Sequence, residues 1–68
     1  TATEAAFLEF LSASPERVFS REEILRGVFS SADGVGTVDT YVHYIRRKTA
    51  PEMIDTVRGR GYRAGDPR

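Results

Sequence analysis

The sequence holds no cysteine, no tryptophan, a single histidine and a single methionine in 68 residues. Without cysteine there is no disulfide to staple a small fold and no thiolate to bind a metal. One histidine excludes a multi-histidine metal site. No apolar run approaches the roughly 20 residues that a membrane-spanning helix needs. No basic start followed by an apolar stretch marks a secretory signal. Net charge is also missing, with ten Lys or Arg against ten Asp or Glu. Nucleic-acid-binding domains usually carry a basic excess, so this balance argues at first sight against such a partner. What remains reads as one small domain, soluble and of intracellular, cytoplasmic type, and a piece of something larger. A chain this short buries only about 60% of its unfolded surface, which makes its stability marginal.

The average conceals a gradient. Residues 1–40 carry three basic and seven acidic side chains, a net of −4, whereas residues 41–68 carry seven basic and three acidic, a net of +4. Segregation of this kind points to one surface that binds something anionic.

Local signals then place the elements. Thr1-x-x-Glu4 is a capping box, and Phe7, Leu8, Phe10 and Leu11 follow at helical spacing. The first helix is predicted over residues 2–13, ending before Pro15. Val18 and Phe19 form a short apolar pair in the connection. Ser20-x-x-Glu23 is a second capping box, with Phe19 and Ile24 placed to form a hydrophobic staple, and Ile24, Leu25, Val28 and Phe29 make the apolar stripe of a second helix. Residues 30–36, rich in Ser, Gly and Asp, read as a loop. A third helix is predicted over residues 37–50. Val38, Tyr41, Val42 and Ile45 share its inner face. Thr40, His43, Tyr44 and Arg47 share the opposite face, flanked by Arg46 and Lys48. Met53 to Val57 is a strand candidate, Arg58-Gly59-Arg60-Gly61 a turn, and Tyr62-Arg63-Ala64 a return strand. The fold class is mainly α with a C-terminal β-hairpin. Three helices followed by a hairpin, in this order, describe a winged helix-turn-helix over residues 1–64, with a polar tail over 65–68.

Two features carry chemistry. The outer face of the third helix offers hydroxyls, an imidazole, a phenol and cations, as a helix read against the DNA major groove would. A solvated polar face would look the same. The hairpin carries Arg58 and Arg60 around its turn and Arg63 just after. Three guanidiniums on a thin ribbon repel one another unless an anion sits between them, which suits a wing at the minor groove or at phosphates. The bland alternative is a soluble turn whose charges deter edge pairing. Residues 59–64 also match G-x-G-x-x-A, but the dinucleotide fingerprint needs a following helix and a further βα unit, and four residues remain. His43 has Asp39 one turn earlier but no positioned nucleophile, so it reads as a polar helix residue bonding Asp39 or a phosphate. Glu22 and Glu23 lie in a first turn, where they favour the macrodipole. No catalytic constellation and no cofactor site emerge, and the chain reads as a non-enzyme.

With these elements placed, the sequence resembles the C-terminal DNA-binding domain of OmpR/PhoB-type response regulators. The matching stretches are Thr1-Ala2-Thr3-Glu4 through Leu11, Pro15 through Leu25, Thr37-Val38-Asp39, Ile45-Arg46-Arg47-Lys48, and Thr56-Val57-Arg58-Gly59-Arg60-Gly61-Tyr62-Arg63. They run in the family's order over nearly the whole chain. The resemblance implies a bacterial transcription factor of a two-component system that binds double-stranded promoter DNA, usually as a tandem dimer on direct repeats. A receiver domain phosphorylated on aspartate normally controls it. A phosphate contact falls on Thr37. Helix contacts fall on Thr40, Tyr41, His43, Tyr44, Arg46 and Arg47, with Lys48 beside them. Wing contacts fall on Thr56 and Arg58, with Arg58 in or near the minor groove, and the reading of the hairpin itself adds Arg60 as a DNA contact. The loop over residues 30–36, with Ser31, Asp33 and Val35, corresponds to the segment that touches RNA polymerase. No membrane partner is implied.

The chain departs from the family pattern in places. The four-stranded sheet that usually precedes the first helix, and the receiver, are not in this sequence. Several members carry Arg at the positions of Gly36, His43 and Tyr44, so base preference should differ here. Tyr41 stands where a smaller polar residue is common. The stretch between Lys48 and Met53 is short. Two rival functions stay open. One is a winged-helix interaction module that holds RNA polymerase or a partner domain through helix two and the 30–36 loop, using Glu22, Glu23 and Asp33. The other is self-assembly through an apolar flank.

Overall fold

The computed structural model of the chain describes residues 1–30 and 32–65. Ser31, and residues 66–68 of the expected polar tail, lie outside the described residues. Three helices, α1 (Ala2–Ser12), α2 (Arg21–Val28) and α3 (Val35–Lys48), are followed by a 3-10 turn (Pro51–Met53) and strands β1 (Ile54–Val57) and β2 (Gly61–Ala64).

Both predicted capping boxes are formed. The Thr1 hydroxyl accepts from the Glu4 N–H at 3.3 Å, and Ser20 Oγ accepts from the Glu23 N–H at 3.1 Å. In return the Ser20 N–H donates to Glu23 Oε1 at 2.9 Å, and Arg17 donates to the second oxygen of the same carboxylate. These donors, the Ser20 N–H first, hold the Glu23 carboxyl below the usual carboxylate range.

The core is one cluster. Phe7 and Leu11 come from α1, Ile24 from α2, Val38, Val42 and Ile45 from α3, Ile54 from β1, and Phe19 from the α1–α2 connection. Tyr41, expected on the inner stripe of α3, is half-buried and leans on Phe29 at 5.0 Å between ring centroids.

Three helix boundaries differ from expectation. Helix α3 starts at Val35, two residues before the predicted Thr37, with Gly34 as its N-cap. The Thr37 N–H donates to Gly34 O at 2.9 Å, and half-buried Val35 extends the apolar stripe one turn before Val38. Gly34 takes the extended backbone of an N-cap (φ −89°, ψ 162°), so the first of the two nearby glycines starts the helix and the second lies inside it. The same helix ends at Lys48, short of the predicted residue 50. Thr49 leaves the helical region (φ −118°, ψ −99°) while its hydroxyl donates to Ile45 O at 2.6 Å. Helix α1 likewise stops at Ser12, not 13.

The hairpin pairs Ile54 with Ala64, Asp55 with Arg63, Thr56 with Tyr62 and Val57 with Gly61. Met53, expected in the first strand, closes the 3-10 turn instead. Gly59 (φ +75°) and Gly61 (φ +143°) hold the positive-φ positions of the turn. Phe19, read as a plain connection, is a one-residue third strand. Its N–H donates to Tyr62 O at 2.8 Å and its carbonyl accepts from the Tyr62 N–H at 2.9 Å. The wing is thus stitched to the α1–α2 connection. A Cβ at Gly61 would lie 2.0 Å from Phe19 O, so only glycine permits that approach.

Candidate nucleic-acid interface

The outer face of α3 is set by helix periodicity. With Val38, Val42 and Ile45 in the core, Thr40, His43, Tyr44 and Arg47 are exposed on the other side. The Thr40 hydroxyl donates back to Gly36 O at 3.0 Å. The His43 and Tyr44 rings are neighbours at 6.2 Å. Arg47 has no ion-pair partner among the described residues. Thr37 is half-buried in the first turn, with its side chain near the helix N-terminus.

The two flanking cations are tied down. Arg46 is half-buried, and its terminal nitrogen donates to Ile54 O at 2.6 Å and to Thr56 Oγ1 at 2.8 Å. Its Nε is buried without a partner among the described residues. Arg46 and Thr56, two of the expected contact residues, thus form a latch between α3 and the base of the wing. Lys48 Nζ donates to both oxygens of Glu4 at 3.1 and 3.2 Å, tying the end of α3 to the start of α1. The Thr1 amino group and Lys48 hold the Glu4 carboxyl below the usual range.

In the wing, Arg58 and Arg60 are exposed in the turn and lack ion-pair partners among the described residues. Arg63 differs from the expected trio, because it pairs across the hairpin with Asp55 at 3.3 Å. Register explains this: the two residues are directly opposite. Among the described residues two guanidiniums, not three, are left unpaired on the ribbon.

A junction that sequence reasoning missed lies between these two surfaces. Asp39 Oδ1 accepts from the Tyr62 hydroxyl at 2.6 Å, and Oδ2 accepts from Arg21 at 3.0 Å. One carboxylate on α3 therefore joins the wing and the first turn of α2. It is not the His43 partner that the one-turn spacing suggested. Burial, followed by the Asp39 hydrogen bond, raises the Tyr62 pKa to about 12. A cleft of about 360 Å³ opens beside this junction, with Arg21, Asp39, Arg58, Arg60 and Tyr62 among its walls. The only sequence signal for it was the presence of opposite charges on separate elements.

The 30–36 segment is only partly a loop. Asp33 Oδ2 accepts from the Ser30 N–H at 3.1 Å, and Val35 belongs to α3. Ser31 lies outside the described residues. Among the described residues no group of His, Asp or Glu side chains is placed to hold a metal ion, and no helix is long and apolar enough to cross a membrane.

Three helices, a short third strand and an arginine-tipped hairpin define a winged helix-turn-helix domain of the DNA-binding type. The chain belongs to the family described as "Transcriptional regulatory protein, C terminal", whose model matches residues 1–64. This is a family of transcriptional regulators, not of enzymes. Response regulator MprA of Mycobacterium tuberculosis is 46% identical over 91% of the chain. The DNA-binding domain of response regulator AdeR, solved with an intercistronic region, superposes with a TM-score of 0.85 at 34% identity, covering 98% of this chain and 75% of that one. The DNA-binding domain of Bacillus subtilis CssR gives 0.81 at 32% identity, covering 94% of this chain and 75% of that one. The chain spans 30% of the length of the MprA protein.

Proposed function

We propose that this domain binds promoter DNA sequence-specifically as the effector domain of a cytoplasmic two-component response regulator. Helix α3 enters the major groove and the hairpin turn lies at the minor groove or its phosphates. The observation that carries this reading is the pairing state of the cations. Arg17, Arg21, Arg63 and Lys48 are spent on carboxylates. Among the described residues four exposed cations lack one: Arg26 at the end of α2, and Arg47, Arg58 and Arg60, which lie on the helix face and ribbon that a duplex would meet. Arg47 is the side chain for a bidentate guanine contact, and Arg58 and Arg60 serve the backbone or a narrow minor groove. Thr37 and the first turn of α3 offer a phosphate an N-terminal helix end. The Arg46–Thr56 latch ties helix to wing, and both residues count among the DNA contacts of this reading. In the full-length protein the domains would sit in tandem on direct repeats, with Asp33, Val35 and their neighbours meeting RNA polymerase.

A gel-shift titration across salt concentrations tests this reading. About five phosphate contacts give a slope of log affinity against log salt of roughly −4 to −5. A protein that shows no DNA binding at low salt yet retains polymerase binding would replace this reading by the interaction-module alternative.

A further inference from the structure

The outward face of α3 is not uniformly polar. Tyr44 is the one large apolar side chain that is exposed among the described residues, at 46%. One turn earlier, Thr40 spends its hydroxyl proton on Gly36 O. The two residues stand at i and i+4, so their Cβ atoms lie about 6 Å apart on neighbouring turns of the helix. His43 and Arg47 flank them.

The Tyr44 ring is also braced. Tyr41 meets it edge-on at 5.9 Å, Phe29 packs on Tyr41 at 5.0 Å, and Phe29 meets Phe7 at 6.0 Å. Phe7 is fully buried. This ladder runs from the core to the surface and restricts the exposed ring before any partner arrives. A restricted side chain loses less freedom on binding than a free one.

We infer that Tyr44, with the Thr40 methyl beside it, is a specificity-determining contact for thymine, read through its C5-methyl group in the major groove. The inference rests on the DNA-binding reading above and names the base class that this part of the face selects. In the major groove the thymine methyl is the apolar mark of an A·T pair, and an aromatic ring or a Thr methyl is its complement. A cation at the same place would favour guanine or phosphate instead. Tyr44 and Arg47, three residues apart on one face, then make a mixed reader, with thymine under the ring and guanine under the guanidinium.

The test uses a duplex selected from a random pool by the wild-type protein. Each thymine in it is replaced in turn by deoxyuridine, which lacks only the methyl. The wild type should lose affinity about fourfold at one or two positions, the effect of one methyl kept from burial. Tyr44→Ala should abolish the loss at one of them, and Tyr44→Phe should keep it. Loss of the discrimination in Tyr44→Phe would show that the hydroxyl, not the ring, makes the contact, and would overturn the inference. So would a wild type that binds its site with no sensitivity to any uracil. That last result leaves the DNA-binding reading standing, whereas a wild type that binds no DNA removes both. Thermal denaturation of each variant verifies that folding is retained.

Discussion

Replacing Gly61 by alanine should unfold the wing from the body, and the structure fixes how strongly. Gly61 has φ +143°, and a Cβ there would lie 2.0 Å from Phe19 O. That carbonyl cannot yield alone, because it accepts from the Tyr62 N–H, and the Phe19 N–H donates to Tyr62 O in the same bridge. The substitution therefore strains the backbone by about 1–3 kcal/mol. It also breaks two hydrogen bonds of about 1 kcal/mol each. The combined loss of about 3–5 kcal/mol compares with a total stability of about 3–10 kcal/mol for a domain this size. Thermal unfolding followed by circular dichroism should show Tm lower by at least about 12 °C, or no cooperative transition. Gly36→Ala is the control. It lies in α3 at an ordinary negative φ with nothing within 4 Å of the added Cβ, so better helix propensity should raise Tm by about 2–4 °C. An unchanged Tm in Gly61→Ala would refute the Phe19 bridge as the anchor of the wing. An equal fall in both variants would refute the reasoning from local conformation.

Three further outcomes follow from the site. Arg58→Ala should weaken binding to most sequences and make the salt slope shallower by about 0.9, since it removes one phosphate-neutralising charge; an unchanged slope would place Arg58 away from DNA. Tyr62 has its folded pKa raised to about 12, so the stability linked to its hydroxyl is fully present below its ordinary value of 10.0 and is lost as pH rises through 12. Spectrophotometric titration should show one phenol ionising near 12, and that step should vanish in Tyr62→Phe. Glu4 and Glu23 have lowered pKa values, so the stability they contribute is present above 4.5 and lost as pH falls through their folded values. Tm measured in buffers below pH 4.5 should fall, and should fall less in Glu4→Gln.

Much of the fold was legible because its signals are local. The two capping boxes fix where α1 and α2 begin, and the glycine-flanked arginine turn fixes the hairpin. The features that escaped join distant residues. Phe19 is a single bridging residue, too short to show a strand period. Tyr62 and Asp39 are 23 positions apart, and Arg21 and Asp39 are 18 apart. Nothing in either neighbourhood announces the pairing. Arg46 looked like an outward cation on periodicity alone. Its position on the wing side of α3 became visible only when β1 brought Ile54 O and Thr56 within reach. The start of α3 was misplaced because two glycines near it read as a loop. The zero net charge takes a different meaning in the structure. Four cations are spent on carboxylates, and of the exposed ones without an ion-pair partner among the described residues, Arg47, Arg58 and Arg60 lie on the outer face of α3 and the wing while Arg26 lies at the end of α2.

The most direct test of the central claim is a binding-site selection run in parallel with wild type and Arg47→Ala. If α3 reads the major groove, Arg47→Ala should relax base preference at one position, with a discrimination loss of about 1–3 kcal/mol there and little change elsewhere. An Arg47→Ala variant that selects the same sequences with the same preference at every position would contradict the assignment of α3 as the recognition helix.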